Sequence, residues 1–194
     1  MEITRSSERF DTGNIHSLAM DSTDPEYFYV GFEDDITNGT YVECFSFDET
    51  YQYTISFKTY GSYDIFCSHG MVFLYFVRGD WVLAFDKNGN IKEGYELNSD
   101  HSALNDEVLE SLCNQTKYEV DGKTFEVGNN SPVPNAFLSP YSYLKVTEQD
   151  GTSHYLYQTS ENPYWAFIAL FGSVFVIVLI MLLKQKEKTS DNER

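Results

Sequence analysis

The chain has 194 residues and a formal charge of −17 at pH 7, and residues 1–163 carry most of it, with 9 Lys and Arg against 27 Asp and Glu. This length allows one soluble domain of ordinary size. Because an acidic surface repels phosphate groups, the composition argues against nucleic acid as a partner and against docking on anionic lipid headgroups.

The N-terminal segment, residues 1–14, is polar, and we expect it to be disordered. Over residues 15–160, short aromatic and β-branched runs alternate with turns rich in Asp, Gly and Asn, which is the pattern of antiparallel strands. The first runs predict strands at Ile15–Met20, Tyr27–Phe32, Tyr41–Phe47, Tyr51–Lys58, Tyr63–Cys67, Met71–Val77, Trp81–Phe85 and Ile91–Leu97.

A short helical insertion is predicted near residues 103–113. Leu104, Val108 and Leu112 recur there at helical spacing, and the side chain of Asn105 is suited to cap the first turn. Strands resume beyond the insertion, with hairpins predicted around Asp121-Gly122 and Asp150-Gly151.

Three segments share one order of features: FSFDETYQYTISF at 45–57, LAFDKNGNIKEGYEL at 83–97 and LKVTEQDGTSHYLY at 144–157. In each, a strand ends in an acidic turn and a second strand returns. The turns at Asp48 and Asp86 lie about 38 residues apart, near the period of one four-stranded propeller blade. This pattern resembles the bacterial β-propeller repeats of the NHL and WD40-like type over residues 15–160.

The resemblance implies a mainly β fold built of antiparallel four-stranded blades, and relatives that are surface-anchored modules. About three blades are visible, whereas a closed propeller needs four or more, so we expect a partial propeller. Its open sheet edges make self-association a further expectation. A β-sandwich is the alternative architecture, because the same strand spacing permits it.

Residues 164–183 predict a transmembrane helix. The run from Trp165 to Leu183 holds no charged residue and includes Phe171, Gly172 and Val178. At about 1.5 Å per residue it spans roughly 28 Å, close to the thickness of the hydrocarbon core of a bilayer. Membrane lipid is therefore an expected partner of this segment.

Lys184, Lys186 and Lys188 follow the predicted span and open a short polar tail, residues 184–194. By the positive-inside rule these lysines anchor the C-terminus in the cytoplasm and place the β domain outside it. The N-terminus has no apolar core of a signal peptide. Two readings follow: a shortened form of a longer exported precursor, or a tail-anchored protein with a cytoplasmic domain.

Cys44, Cys67 and Cys113 form no C-x-x-C pair and are expected to be small core residues, with at most one disulfide bond among them. The four histidines, His16, His69, His101 and His154, lie far apart in the sequence and form no H-E-x-x-H or H-x-H motif. No catalytic residue, metal ligand or cofactor is predicted.

Acidic turns are the candidate sites for a metal ion or for acid–base chemistry. Asp86 and Glu93 bracket a stretch with some oxygen-ligand spacing of a calcium loop, but Asn88-Gly89 is better explained as a hairpin turn. Paired carboxylates can perform acid–base chemistry, for example on glycans, and the neighbouring turns offer four of them. These are Asp34, Asp35, Asp48 and Glu49, for which solvated turns are the simpler interpretation.

The aromatic content, with 15 Tyr and 15 Phe, is more informative. Most of these rings are expected in the core, while a strand face that displays several Tyr is suited to bind a protein or a carbohydrate. The sequence therefore predicts a non-catalytic, membrane-tethered binding module. The alternatives are a glycan-active enzyme that uses turn carboxylates and a partial gene product without independent function.

Overall fold

The structure is a computed structural model, and it describes residues 2–10, 13–21, 24–34, 39–59, 61–96, 115–129, 141–159 and 171–175. The chain divides into two compact units, residues 1–159 and 160–194. The strands of the first unit are β1 Ile3–Ser6, β2 Asn14–Met20, β3 Tyr27–Asp34, β4 Gly39–Ser46, β5 Tyr51–Phe57, β6 Tyr63–Ser68, β7 Met71–Phe76, β8 Trp81–Asp86, β9 Ile91–Glu96, β10 Lys117–Val120, β11 Lys123–Gly128, β12 Tyr143–Thr147 and β13 Ser153–Gln158.

In the described residues these strands form three antiparallel sheets. Sheet A has the order β1-β5-β4-β3-β2, sheet B runs β6-β7-β8-β9, and sheet C runs β10-β11-β12-β13. Each sheet contains four strands that are consecutive in the chain, joined as a meander. The expectation of a mainly β chain with blade-like groups of four antiparallel strands is therefore confirmed at this level.

The fifth strand of sheet A comes from the segment that was expected to be disordered. Residues 3–6 form β1, which pairs with the outer edge of β5 from Ile3 opposite Phe57 to Ser6 opposite Thr54. The four residues carry little strand signal of their own. Their conformation comes from the unpaired N–H and C=O groups of β5, which are distant in sequence. The expectation of disorder over residues 1–14 is wrong for this strand.

The last hairpin of each sheet uses the same turn. The first residue of the turn donates its N–H to the carbonyl four residues on, and the fourth donates back to the first, with N–O distances of 2.8 to 3.0 Å. This is the three-residue loop whose last position is left-handed. That position is held by Glu49, Gly89 and Gly151, with φ of 68°, 76° and 84°.

The returning strand of each of these hairpins contains one extra residue. In sheet A the register steps from Cys44 opposite Tyr53 to Phe45 opposite Tyr51, which leaves Gln52 without a counterpart. The equivalent extra residues are Lys92 in β9 and Leu156 in β13. The three segments that the sequence grouped as repeats therefore share their turn and their bulge.

Sheet A lies between the other two and packs on each through a different face. One core combines rings and aliphatic groups of sheets A and B, and a second combines those of sheets A and C. Tyr63 joins sheet B to sheet A: it is fully buried, and its hydroxyl donates to the carbonyl of Phe32 at 3.1 Å. The two cores explain why so many aromatic residues are needed in so few strands.

Two predicted helices lie wholly or mostly outside the described residues. The helical insertion near 103–113 lies outside the described residues. In the predicted membrane segment, residues 171–175 are helical, and the rest of 164–183 is outside the described part. Among the described residues, no helix has the length and apolar character needed to cross a membrane. The transmembrane span stays a prediction.

Candidate functional site: a tyrosine face on sheet C

Sheet C turns one face toward sheet A and the other away from it. Phe125, Val127, Leu144 and Val146 are buried in the core shared with sheet A. Because successive side chains of a strand point to opposite faces, their neighbours point away from that core. We call this outward surface the tyrosine face; it is formed by Thr124, Glu126, Gly128, Tyr143, Lys145, Thr147, Ser153 and Tyr155.

The bulge in β13 places Tyr155 on this face. Tyr155 and Tyr157 are two residues apart, so regular alternation would put both rings on one side. The extra residue, Leu156, breaks the alternation, so Tyr157 pairs with the core residue Leu144 and Tyr155 with the outward residue Lys145. Tyr157 then packs against sheet A, and its hydroxyl donates to the carbonyl of Gly13. Tyr155 is left 49% exposed.

Tyr143 and Tyr155 form an angled pair of rings. Their centroids are 5.5 Å apart and their planes meet at 74°. The Tyr143 ring lies across Gly128: a Cβ at that glycine would stand 2.2 Å from the Tyr143 Oη. The glycine therefore lets the ring lie close to the sheet, while Tyr155 stands beside it. Together they make a shallow step with one aromatic floor and one aromatic wall.

The phenol of Tyr143 stays protonated at neutral pH. Burial, followed by the charge of Glu126, raises its pKa above the ordinary value of 10.0. The hydroxyl can therefore both donate and accept a hydrogen bond.

The charges of the tyrosine face balance. Glu126 and Lys145 are direct neighbours in the β11–β12 register. At the edge of the sheet, on the same face, Lys117 donates a hydrogen bond to the carboxylate of Glu119. Two cations thus match two anions on a chain whose overall charge is −17. This neutrality distinguishes the face from the rest of the domain.

The matching face of sheet A is covered. Its bulge separates Tyr51 from Tyr53 in the way that Leu156 separates the two tyrosines of sheet C. Tyr51 packs edge-on against Phe45 at 5.9 Å, within the core shared with sheet C. The apolar composition of that face suits burial, whereas the hydroxyl and charged groups of the tyrosine face suit water. Among the described residues, sheet C is therefore the outer sheet on this side of sheet A, with a polar outward face.

A second cluster lies where sheets A and B meet. His16 is the extra residue of a bulge in β2, between Ile15 and Ser17. Its Nε2 is 2.5 Å from the carbonyl oxygen of Tyr63, and its Nδ1 is 3.6 Å from Glu33. Since a carbonyl only accepts, Nε2 carries a hydrogen and donates it to Tyr63, while Nδ1 lies on the side of the Glu33 carboxylate.

Asp64 completes that cluster at 3.9 Å from the Nε2 of His16. Burial raises the pKa of Asp64 above its ordinary value, and the nearby imidazole opposes this shift. The histidine and two carboxylates come from three different strands. Their arrangement could hold or pass a proton.

A small acidic cavity also lies between sheets A and B, and its volume of about 20 Å³ has room for a water molecule. The polar groups on its wall are used internally: Asp21 accepts the Gly70 N–H at 3.1 Å, and Lys87 donates to Glu26 at 2.8 Å. The cavity is too small for an organic ligand.

The candidate calcium loop is a hairpin turn. The Asp86 carboxylate accepts the N–H groups of Asn88 and Asn90, both at 2.9 Å, and contacts Lys92 at 2.9 Å. Glu93 follows the bulge in β9. Across the parts of the chain that the structure describes, no three His, Cys, Asp or Glu side chains come together as metal ligands.

The other turn carboxylates have separate roles. Asp48 caps its own turn by accepting from the Ser46 hydroxyl. Glu49 contacts Lys123 at 3.0 Å and His154 at 2.5 Å, both on sheet C. Asp34 ends β3, and its side chain is not described. Asp35 lies outside the described residues.

Of the remaining residues named in the sequence analysis, some lie in the described part of the chain and others lie outside it. Cys44 is a buried core residue, as expected, and Cys67 is half-buried; both thiols are free. His69 lies in the β6–β7 turn with φ of 54°. Phe171 and Gly172 fall in the described helical residues. Those outside the described part are His101, Cys113, Trp165, Val178, Leu183, Lys184, Lys186 and Lys188.

Sequence reasoning expected a tyrosine-bearing strand face but could not say which strand carried it. The repeated Tyr-x-Tyr at 51–53 and 155–157 was the available signal. Regular alternation would place both tyrosines of such a pair on the same face of the sheet, and only the bulge separates them. The bulge depends on pairing with another strand, so the sequence alone does not show it. The His16 cluster carried no signal, because its members lie on three strands.

Comparison with known proteins identifies no family: no family model and no curated protein matches the chain. Among solved structures, it is similar to a catalytically inactive virginiamycin B lyase from Staphylococcus aureus, crystallised with quinupristin. The identity is 11% and the TM-score 0.31, over 83% of this chain and 47% of that one. The chain thus spans about half the length of the lyase. At this TM-score neither fold nor function transfers.

Proposed function

We propose that this chain is a non-catalytic, membrane-tethered binding module that recognises a protein or a carbohydrate through the tyrosine face. The observation that carries the proposal is the exposure of Tyr155, 49% accessible on a sheet whose other face supplies Phe125, Val127, Leu144 and Val146 to a core. Amphipathic rings on a rigid strand bury large areas on binding and lose little side-chain entropy. In the same proposal, sheets A, B and C are blades of a partial β-propeller.

The test uses the full-length chain in mild detergent. Binding to the cell-envelope fraction of its source cells is measured by sedimentation for the native protein, Tyr155→Ala and Ile91→Ala. Ile91 is a matched control because it is also half exposed, at 53%, but lies on sheet B. Loss of binding in Tyr155→Ala alone supports the proposal. Equal binding by all three proteins excludes the tyrosine face.

The proposed tether is the span 164–183, with Lys184, Lys186 and Lys188 on the cytoplasmic side. Protease treatment of intact cells tests this orientation with one epitope tag at the N-terminus and another after Arg194. Loss of the first tag with survival of the second on a short fragment places the β domain outside. Survival of both tags means a tail-anchored protein with a cytoplasmic domain.

An enzyme is the second candidate, and the specific observation in its favour is His16, whose Nδ1 faces Glu33 beside the half-buried Asp64. General acid–base chemistry uses such histidine–carboxylate sets. A broad hydrolase screen of the full chain, with His16→Gln as the variant, separates the two. Turnover that is lost in the variant favours the enzyme, and no turnover favours the binding module.

A further inference from the structure

We propose that the tyrosine face binds an uncharged polysaccharide. This inference rests on the binding function proposed above and assigns its ligand class. It follows from three properties of the face: the shape of the aromatic step, the balance of charge, and the supply of hydroxyl and charged hydrogen-bonding groups beside it.

The aromatic step suits a sugar ring. A pyranose has one flat, C–H-rich face that packs against an aromatic ring, and Tyr143 offers such a surface because Gly128 lets its ring lie close to the sheet. Tyr155, at 74° to it, contacts the edge of the same sugar. A protein partner fits so small a step less well, because a protein–protein interface of standard size buries about 800 Å² on each partner.

The charge of the face selects an uncharged ligand. Lys145 lies directly opposite Glu126 on one neighbouring strand and opposite Tyr155 on the other. The local charges cancel, while the surrounding domain repels anions through its excess of Asp and Glu. An anionic polymer gains nothing here, and a cationic one would favour the acidic surface elsewhere. The face therefore favours a neutral polymer over a charged one.

Polar groups continue the surface along the strands. Next to the rings come Glu126 and Lys145, and beyond them the hydroxyls of Thr147 and Ser153, which lie 3.0 Å apart. Hydroxyl, carboxylate and ammonium groups are the donors and acceptors that sugar hydroxyls require. Because these residues lie on paired strands, their backbone positions are fixed relative to the aromatic step before a ligand arrives.

The experiment is affinity electrophoresis of the full-length chain in nonionic detergent, in native gels that contain dextran, laminarin, mannan, xylan or polygalacturonate. We expect at least one neutral polysaccharide to slow the protein, and polygalacturonate not to. Tyr155→Ala should weaken the retardation about tenfold. Tyr155→Phe should keep most of it, because the ring is retained, and Ile91→Ala should not change it.

Two results overturn the inference: no retardation by any neutral polysaccharide, whether or not polygalacturonate retards the protein, or retardation that Tyr155→Ala leaves unchanged. The envelope-binding assay separates this failure from failure of the proposed function. If envelope binding depends on Tyr155 while no neutral polysaccharide binds, the face is a binding site with another ligand, such as a protein. If neither assay depends on Tyr155, both proposals are wrong.

Discussion

The Nε2 of His154 lies 2.5 Å from the Oε2 of Glu49, and this contact ties sheet C to the β4–β5 hairpin turn, the last of sheet A. Lys123 reaches the other oxygen of Glu49 at 3.0 Å and also contacts Glu148 at 2.9 Å. Glu49 occupies the left-handed position that Gly89 and Gly151 hold in the equivalent turns of sheets B and C. Its ionic contacts across the sheets therefore offset a strained backbone.

Removing the charge of Glu49 should weaken the junction between sheets A and C. We expect Glu49→Gln to lower the free energy of unfolding by about 1.5 kcal/mol, because two charge-assisted hydrogen bonds of a largely buried carboxylate are lost. Urea denaturation measures the change. Glu119→Gln is the control, since that exposed carboxylate pairs only within sheet C, and it should leave the midpoint unchanged. Equal effects of both variants would contradict the junction.

A side chain at Gly151 should be costly for the backbone alone. Gly151 has φ of 84°, and a Cβ there would meet no atom within 4 Å. We expect Gly151→Ala to destabilise the domain by about 1 kcal/mol, from the left-handed conformation and not from a clash. Gly151→Asn should cost less, since Asn tolerates this conformation. Thermal unfolding compares the two, and equal stability of Ala and Asn variants contradicts the assigned turn.

Close packing at Gly31 should be sensitive to one added methyl group. A Cβ at Gly31 would stand 2.5 Å from the Ser17 Oγ and 2.6 Å from the Tyr63 Oη. We expect Gly31→Ala to destabilise by about 2 to 3 kcal/mol, measured by urea unfolding. Combined with Tyr63→Phe, the total loss should be smaller than the sum of the two single losses, because the clashing hydroxyl is gone. Fully additive losses would mean that Tyr63 does not pack against Gly31 as described.

Asp86 should give the stability a defined pH dependence. The hydrogen bond from Lys92, followed by those from Asn90, lowers its pKa below the ordinary value of 3.8. A depressed pKa in the folded state means that the stabilisation is complete above 3.8 and is lost as pH falls through the lower folded value. The difference in melting temperature between the native chain and Asp86→Ala should be constant from pH 7 to about 5 and should narrow steadily as the pH falls below about 4. A difference as large at pH 2 as at pH 7 contradicts this assignment.

Much of the β architecture was predictable from local patterns. The strands from Ile15 onward and the Asp150-Gly151 turn follow from short-range alternation and turn chemistry, and the structure confirms both. β1 was not predictable, because Ile3–Ser6 become a strand only through the edge of β5. Its stability depends on a partner some 50 residues away, which no local pattern contains.

The candidate site shows the same limit. Tyr155 and Tyr157 look equivalent in the sequence, and only the pairing of β12 with β13 sends one outward and the other into the core. The junction residues Glu49 and His154 are separated by more than 100 positions and meet because sheets A and C stack. Alternation within a strand is a local property, whereas bulges and sheet stacking are not.

Hydroxyl-radical footprinting of the full-length chain, with and without the cell-envelope fraction, tests the central claim most directly. It reads the accessibility of individual rings without requiring the ligand to be known. We predict that Tyr143 and Tyr155 lose reactivity when the envelope fraction is present, while Trp81 and Ile91 on sheet B keep theirs. Binding that leaves Tyr155 as reactive as in the free protein would contradict the tyrosine face as the ligand site.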